Sequence, residues 1–249
     1  MLHRHRFLID GIPVLKVHQE PRPAPAVVFL HGLGASAETQ RRELDSLAEH
    51  GLTAVAIDAP HHGRRRDAWL DEMNGLEPPE SHVRFLRLLR EALPEVSRTV
   101  DHLTNEGHGP IGIAGISMGA YLALAAAAED ARIRATVSIL GSPSWPPRRG
   151  PVTVEMRELM SQAPVHRPAD CARHPLLMMN AGRDLSVPPD LPGGPRDFAR
   201  LLREGHPDIA SQVTYVEYPE SEHFMREGDW RDLWHRTLAF LRAHLAVDR

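Results

Sequence analysis

Short apolar runs alternate along this chain with longer stretches in which apolar residues recur every third or fourth position. Residues 6–9, 13–18, 26–30, 53–58, 112–114, 135–140, 175–180 and 212–218 are dominated by Val, Ile, Ala and Leu and are too short to be independent helices, so they read as eight strands. Several are apolar at nearly every position, the signature of strands buried on both faces, and helical stretches separate them. That alternation predicts a mostly parallel sheet covered on both sides by helices. Near the C-terminus, Trp234, Leu238, Leu241 and Leu245 fall on one helical stripe. Val83, Leu86, Leu89, Leu93, Val96, Val100 and Leu103 keep the same period, but Pro94 removes a backbone donor in their midst and is expected to kink or split that helix.

Two segments stand outside the alternation. Residues 64–80 are polar, with Trp69, Leu70 and Met73 interspersed, and 143–173 open on a proline-rich stretch. Both follow strands, and in an open parallel sheet the ligand crevice lies beyond the carboxyl ends of the strands, so both are placed to cover a site. Within the second, Val152, Met156, Leu159 and Met160 form an i, i+4, i+7, i+8 stripe. This stripe either packs on the body of the domain or makes 143–173 a small cap. In the cap reading Met156 and Met160 line an acyl pocket with Leu33 and Trp145, and short to medium acyl groups are favoured.

Composition narrows the class. The 249 residues suit one α/β domain spanning 1–249, with 42% apolar and 25% charged residues, ordinary for a globular protein. Against 33 acidic residues stand 29 basic ones, and the formal charge of -4 argues against a surface built for nucleic acid or anionic lipid. A small neutral substrate fits better. The sequence is silent on oligomeric state. Cys171, the single cysteine, cannot close an intramolecular disulfide and reads as structural. Phe7-Leu8-Ile9 is far too short for a signal sequence, and no stretch approaches the roughly 20 apolar residues of a membrane span, so a cytoplasmic location is expected.

The chemistry centres on Gly115-Ile116-Ser117-Met118-Gly119. A strand precedes it and an Ala/Leu-rich helix follows, and a sharp turn between the two exposes a serine hydroxyl at the sheet edge, with small flanking residues needed where strand and helix crowd. Serine is a weak nucleophile until a histidine takes its proton, and that histidine needs a carboxylate to fix its tautomer. Asp184 follows the strand at 175–180, and His223 follows the last strand; Asp190 is the alternative acid. Acyl transfer also needs donors for the developing oxyanion: the N–H of Met118 and, from His31-Gly32-Leu33-Gly34, that of Leu33. His31 itself reads as a structural residue that hydrogen-bonds this loop. Asp58, His61 and His62 suggest a metal, yet adjacent side chains diverge and a closed site needs more ligands, so a strand-end turn is the expectation. No glycine-rich phosphate loop is present, and no cofactor is implied.

With these motifs assembled, the chain resembles α/β-hydrolase superfamily serine esterases of the bacterial dienelactone-hydrolase-like and acyl-peptidase-like branch. The carriers are residues 31–34, Asp58-Ala59-Pro60-His61-His62-Gly63, the Ser117 turn, Gly182-Arg183-Asp184 with Val187-Pro188, and Ser221-Glu222-His223. The resemblance implies the α/β-hydrolase fold, with an eight-stranded, mostly parallel sheet, and a Ser117–Asp184–His223 catalytic triad cleaving small carboxylic esters through an acyl-enzyme. Thioester or acyl-peptide cleavage could run on the same triad, and a non-catalytic binding protein on the same fold is the rival from another class. Dienelactone hydrolases use cysteine where Ser117 stands. The larger peptidases of the group carry a propeller domain not found here, which directs the expectation to esters.

Overall fold

A computed structural model describes residues 1–19, 23–147 and 149–245. Its eight strands are β1 (His3–Ile9), β2 (Ile12–His18), β3 (Ala26–Leu30), β4 (Thr53–Ile57), β5 (Ile111–Ile116), β6 (Ile133–Ile139), β7 (Leu176–Ala181) and β8 (Val213–Tyr218). They form one sheet in the order β1-β2-β4-β3-β5-β6-β7-β8. The first two ladders, β1 with β2 and β2 with β4, are antiparallel, and every later pair is parallel. Each strand read from the sequence is present, with ends shifted by a few residues.

The helices are α1 (Arg41–Glu49), α2 (Trp69–Asn74), α3 (Glu80–Asn105), α4 (Met118–Glu129), α5 (Val154–Met160), α6 (Pro168–Cys171), α7 (Pro195–Gly205) and α8 (Glu227–Leu245). Successive residues of a strand face opposite sides of the sheet. Val28 and Val55 accordingly pack among α3 and α4, while Phe29, Ala54 and Ala56 pack among α1 and α8. This two-sided burial explains why β3 and β4 carry no exposed position at all. The α4 helix is apolar around nearly its whole circumference because it is enclosed by the sheet, α3 and α6. Among the described residues no helix is long and apolar enough to cross a membrane.

Of the two outcomes expected at Pro94, the split does not occur: Pro94 lies inside α3, which runs unbroken for 26 residues. Pro94 and Arg90 both sit on the exposed face. Water can therefore satisfy the Arg90 carbonyl that proline leaves without a donor, and the buried stripe of Leu86, Leu89, Val96, Val100 and Leu103 continues on both sides of Pro94.

The segment 143–173 also departs from the cap reading. Thr153 caps α5, its Oγ1 accepting from the Met156 N–H at 3.1 Å, so Val152 precedes the helix and is exposed. Met156 is fully buried, Trp145 and Leu159 nearly so, and Met160 packs against the same cluster, which includes Leu86 and Leu89 of α3. Arg87 and Glu155 pair at 2.6 Å across the junction. The stripe thus belongs to the core. Met156→Ala is expected to lower the unfolding free energy by about 2–5 kcal/mol, the range for truncating a buried methionine. Denaturant unfolding reads this directly, whereas a neutral result would place the side chain outside the core.

Candidate active site

The turn from β5 into α4 sets the geometry. Ser117 adopts φ 53° and ψ -118°, a sparsely populated conformation that costs on the order of 1–3 kcal/mol and must be held by its surroundings. Its N–H donates to Ile139 O at 2.8 Å, and its carbonyl accepts from Ala120 N at 2.8 Å. A Cβ at Gly115 would overlap the Gly119 backbone, and one at Gly119 would overlap the Leu30 carbonyl. The two glycines are therefore required by the close approach of α4 to the sheet. Gly32 differs, since a Cβ there would meet only Ile116 O at 3.5 Å and Ser117 Cβ at 3.6 Å. The space that its missing side chain leaves lies beside the serine.

Asp184 and His223 arrive on two loops that are tied together. Gly182 N donates to Tyr218 O at 2.8 Å and Arg183 N to Ser221 O at 2.9 Å, joining the turn after β7 to the turn after β8. Ser221 Oγ in turn donates to Asp229 Oδ2 at 2.7 Å and accepts from Arg226 N at 3.1 Å, fastening the histidine loop to the start of α8. As a result His223 Nδ1 donates to Asp184 Oδ2 at 2.7 Å, and His223 Nε2 faces Ser117 Oγ at 3.0 Å. The carboxylate at Nδ1 selects the tautomer in which Nε2 is the acceptor for the serine hydroxyl. The three side chains singled out from the sequence meet in one chain of hydrogen bonds.

Burial alone would push the Asp184 carboxyl up. The hydrogen bond from His223, with those from Val187 N at 2.9 Å and Ser186 N at 2.6 Å, instead holds it below its ordinary value, so it is an anion at neutral pH. Asp190 is exposed and lies outside this network.

Neither Leu33 N–H nor Met118 N–H has an acceptor among the described residues. Met118 opens α4, where the first amides have no partner within the helix. The loop bearing Leu33 is braced by His31, whose Nδ1 donates to Gly32 O at 2.9 Å while Nε2 accepts from Ala59 N at 3.1 Å. Burial, opposed by the bond to Gly32, lowers His31 to about 4, so its ring is neutral and serves as a strut. Asp58 plays a matching part, accepting from Ala37 N at 2.8 Å and Arg64 N at 2.9 Å. His62 donates from Nδ1 to Pro60 O, and His61 turns away to Asp67 and stacks on Trp69. Among the described residues no group of three or more His, Cys, Asp or Glu is arranged to hold a metal ion. Cys171 is buried, which pushes its thiol up to about 12.

Ser117 and His223 open onto a cleft of about 1130 Å³. Leu33 and Met118 line it, as do Met73 of α2, Phe85 of α3, Val187, and Trp230 of α8. Trp145, Met156 and Met160 do not, because they face the core between α5 and α3. Residues 143–173 contribute Pro146 and Arg149 instead, and the 64–80 segment supplies Met73 and Pro78. Gln40 and Glu43 also line the cleft, and nothing in their sequence surroundings marks them.

A doubly covered, mostly parallel sheet with a serine at the strand–helix turn and histidine and aspartate beyond later strands defines an α/β hydrolase. Residues 27–248 match the model of the Alpha/beta hydrolase family, and the chain belongs to it. It is 33% identical over 151 residues to YitV of Bacillus subtilis (strain 168), whose name carries a provisional esterase assignment; the match covers 58% of this chain and 56% of that protein. With the esterase YjfP of Escherichia coli (strain K12), identity is 31% over 143 residues, covering 55% of this chain and 54% of that protein. The chain thus matches about half the length of these curated relatives. Among solved structures, TT1662 from Thermus thermophilus superposes with a TM-score of 0.79 at 24% identity over 100% of both chains.

Two buried histidines give the fold a defined acid response. His31 and His174 are both lowered to about 4, burial being the main cause, and His174 Nε2 accepts from Thr136 Oγ1 at 2.8 Å. Unfolded histidine titrates near 6.5, so between that pH and about 4 the unfolded chain takes up protons that the folded chain refuses. Stability from each is complete above pH 6.5 and is lost as pH falls, at about 1.4 kcal/mol per pH unit. Urea unfolding between pH 7 and 5 is expected to show a slope approaching the sum of the two contributions as pH falls, reduced by one histidine's share in His174→Gln. An unchanged slope in that variant would assign the acid response elsewhere.

Proposed function

We propose that the chain is a serine carboxylesterase acting on small to medium esters. The observation that carries this reading is the unbroken Ser117–His223–Asp184 chain of hydrogen bonds at 3.0 and 2.7 Å. His223 Nε2 takes the hydroxyl proton as Ser117 Oγ attacks the ester carbonyl, and anionic Asp184 stabilises the imidazolium that forms. Negative charge collects on the carbonyl oxygen, where the free N–H groups of Leu33 and Met118 receive it; one such donor contributes about 3 kcal/mol of transition-state stabilisation. His223 then returns the proton to the departing alkoxide, leaving an ester on Ser117. Water, deprotonated by the same histidine, releases the acid and restores the serine. These steps use no cofactor. The esterase names of the relatives support the reaction class.

A fluorophosphonate probe should label the wild-type protein and not Ser117→Ala; equal labelling of both would remove the nucleophile assignment. Asp184→Asn is expected to stay folded while kcat on a short-chain ester falls by about 10⁴, the scale seen when the wrong histidine tautomer is favoured. Asp190→Asn should remain close to wild type. The reverse pattern would move the acid to Asp190.

A further inference from the structure

Two large apolar side chains stand at the cleft in a place that the proposed reaction leaves unused. Phe224 is 95% exposed and Leu185 86%, and apart from Met1 no large apolar side chain among the described residues is more exposed. Both line the cleft. Each directly follows a member of the triad, Leu185 after Asp184 and Phe224 after His223. A lone exposed apolar residue needs no explanation, but two on the lining of one cleft mark a surface that something apolar covers. Their loops are joined through Gly182 and Tyr218 and through Arg183 and Ser221, so both residues stand on a braced part of the chain.

Proton return by His223 fixes which part of a substrate reaches them. At that step the departing oxygen lies within about 3 Å of His223 Nε2. The Phe224 ring stands 6.0 Å from the imidazole, centre to centre, at an interplanar angle of 86°. Aromatic rings make contact at centroid separations of about 4.5–7 Å, so a ring carried one methylene beyond the departing oxygen comes within range of Phe224. The charged side chains of these loops do not compete for that space, because Arg183 and Arg226 both pair with Glu220. Beyond Leu185 the same turn gives the cleft Val187 and Pro188, and Met225 follows Phe224, so apolar side chains continue the wall on both loops.

From this juxtaposition of Phe224 and His223, with Leu185 on the adjoining loop, we infer that Phe224 packs on the alcohol portion of the substrate and makes the site selective for esters of arylmethyl alcohols. An exposed ring gains burial from any apolar alcohol, and a further edge-to-face or offset-stacked contact from an aromatic one. The inference rests on the esterase reading and names the substrate class of that site.

The test compares benzyl, cyclohexylmethyl and ethyl butyrate in wild type and Phe224→Ala. Removing the ring should lower the benzyl-to-ethyl ratio of kcat/KM by about tenfold and the benzyl-to-cyclohexylmethyl ratio by about threefold, with Phe224→Tyr close to wild type in both. Ratios cancel the intrinsic reactivities of the esters and any general disturbance of His223. An unchanged benzyl-to-ethyl ratio overturns the contact, and a fall in it without a fall in the benzyl-to-cyclohexylmethyl ratio overturns the aromatic class. An acyl-side arm sets ethyl phenylacetate against ethyl butyrate; a fall confined to this arm would overturn the alcohol-side placement. Phe224 belongs to none of the hydrophobic clusters, so the variant should fold, and thermal unfolding checks it. Binding of benzyl and ethyl butyrate to Ser117→Ala, with and without Phe224→Ala, reads the contact without turnover by NMR titration. Weakening of benzyl butyrate alone, by about tenfold, supports it, and unchanged affinities refute it. Hydrolysis of no ester by the wild type would defeat the esterase reading, while the titration still decides the contact.

Discussion

Contact between the Gly119 Cα and the Leu30 carbonyl is close enough to exclude a single methyl group, and most of the site follows from it. Because α4 sits so near the sheet, the chain must reverse between β5 and α4 within one residue, and Ser117 takes up the strain. That reversal leaves the Ser117 hydroxyl 3.0 Å from His223 Nε2 and the first helical amide without a partner in the helix. It also demands that α4 be small and apolar on every side, which is why its sequence is largely alanine and leucine. Strain of this kind persists only where its surroundings over-determine it. Here the Ile139 and Ala120 hydrogen bonds do so.

Around this fixed point the protein sorts its titratable groups by partner. Asp184 receives three donors and remains anionic despite burial, whereas His31 and His174 are offered one acceptor and one donor apiece or fewer, and burial leaves them neutral. The same medium thus produces opposite charge states because the number and sign of the contacts differ. In the proposed reaction the proton that Ser117 gives up is held by His223, which is partly exposed at the cleft rather than sealed in the core.

Much of this arrangement could be read from the sequence. Apolar runs of strand length located all eight strands, since burial on both faces leaves little ambiguity of period. Ser117, Asp184 and His223 were recognisable because each sits at a strand end, where local pattern and spatial position coincide. A split at Pro94 was a misleading expectation, because a local rule about proline yields when the affected carbonyl faces water and the buried stripe continues on both sides. Trp145, Met156 and Met160 were misplaced for a related reason: an apolar stripe shows that a face is covered, never by what. Gln40 and Glu43 left no trace, because the cleft they line is assembled from segments far apart in the sequence.

That the histidine loop follows β8 has a consequence for how the molecule comes into being. β8 pairs only with β7 at the sheet edge, and β7 pairs with β6, so Ser117, Asp184 and His223 are brought into register by successive strand additions rather than by one local unit. An emerging chain can complete the strained turn at Ser117 long before the last hundred residues have docked, yet the serine has no proton acceptor until the final strand and α8 are seated. On the proposed mechanism, incompletely folded molecules are therefore chemically quiet, because Ser117 meets His223 only in the step that closes the fold.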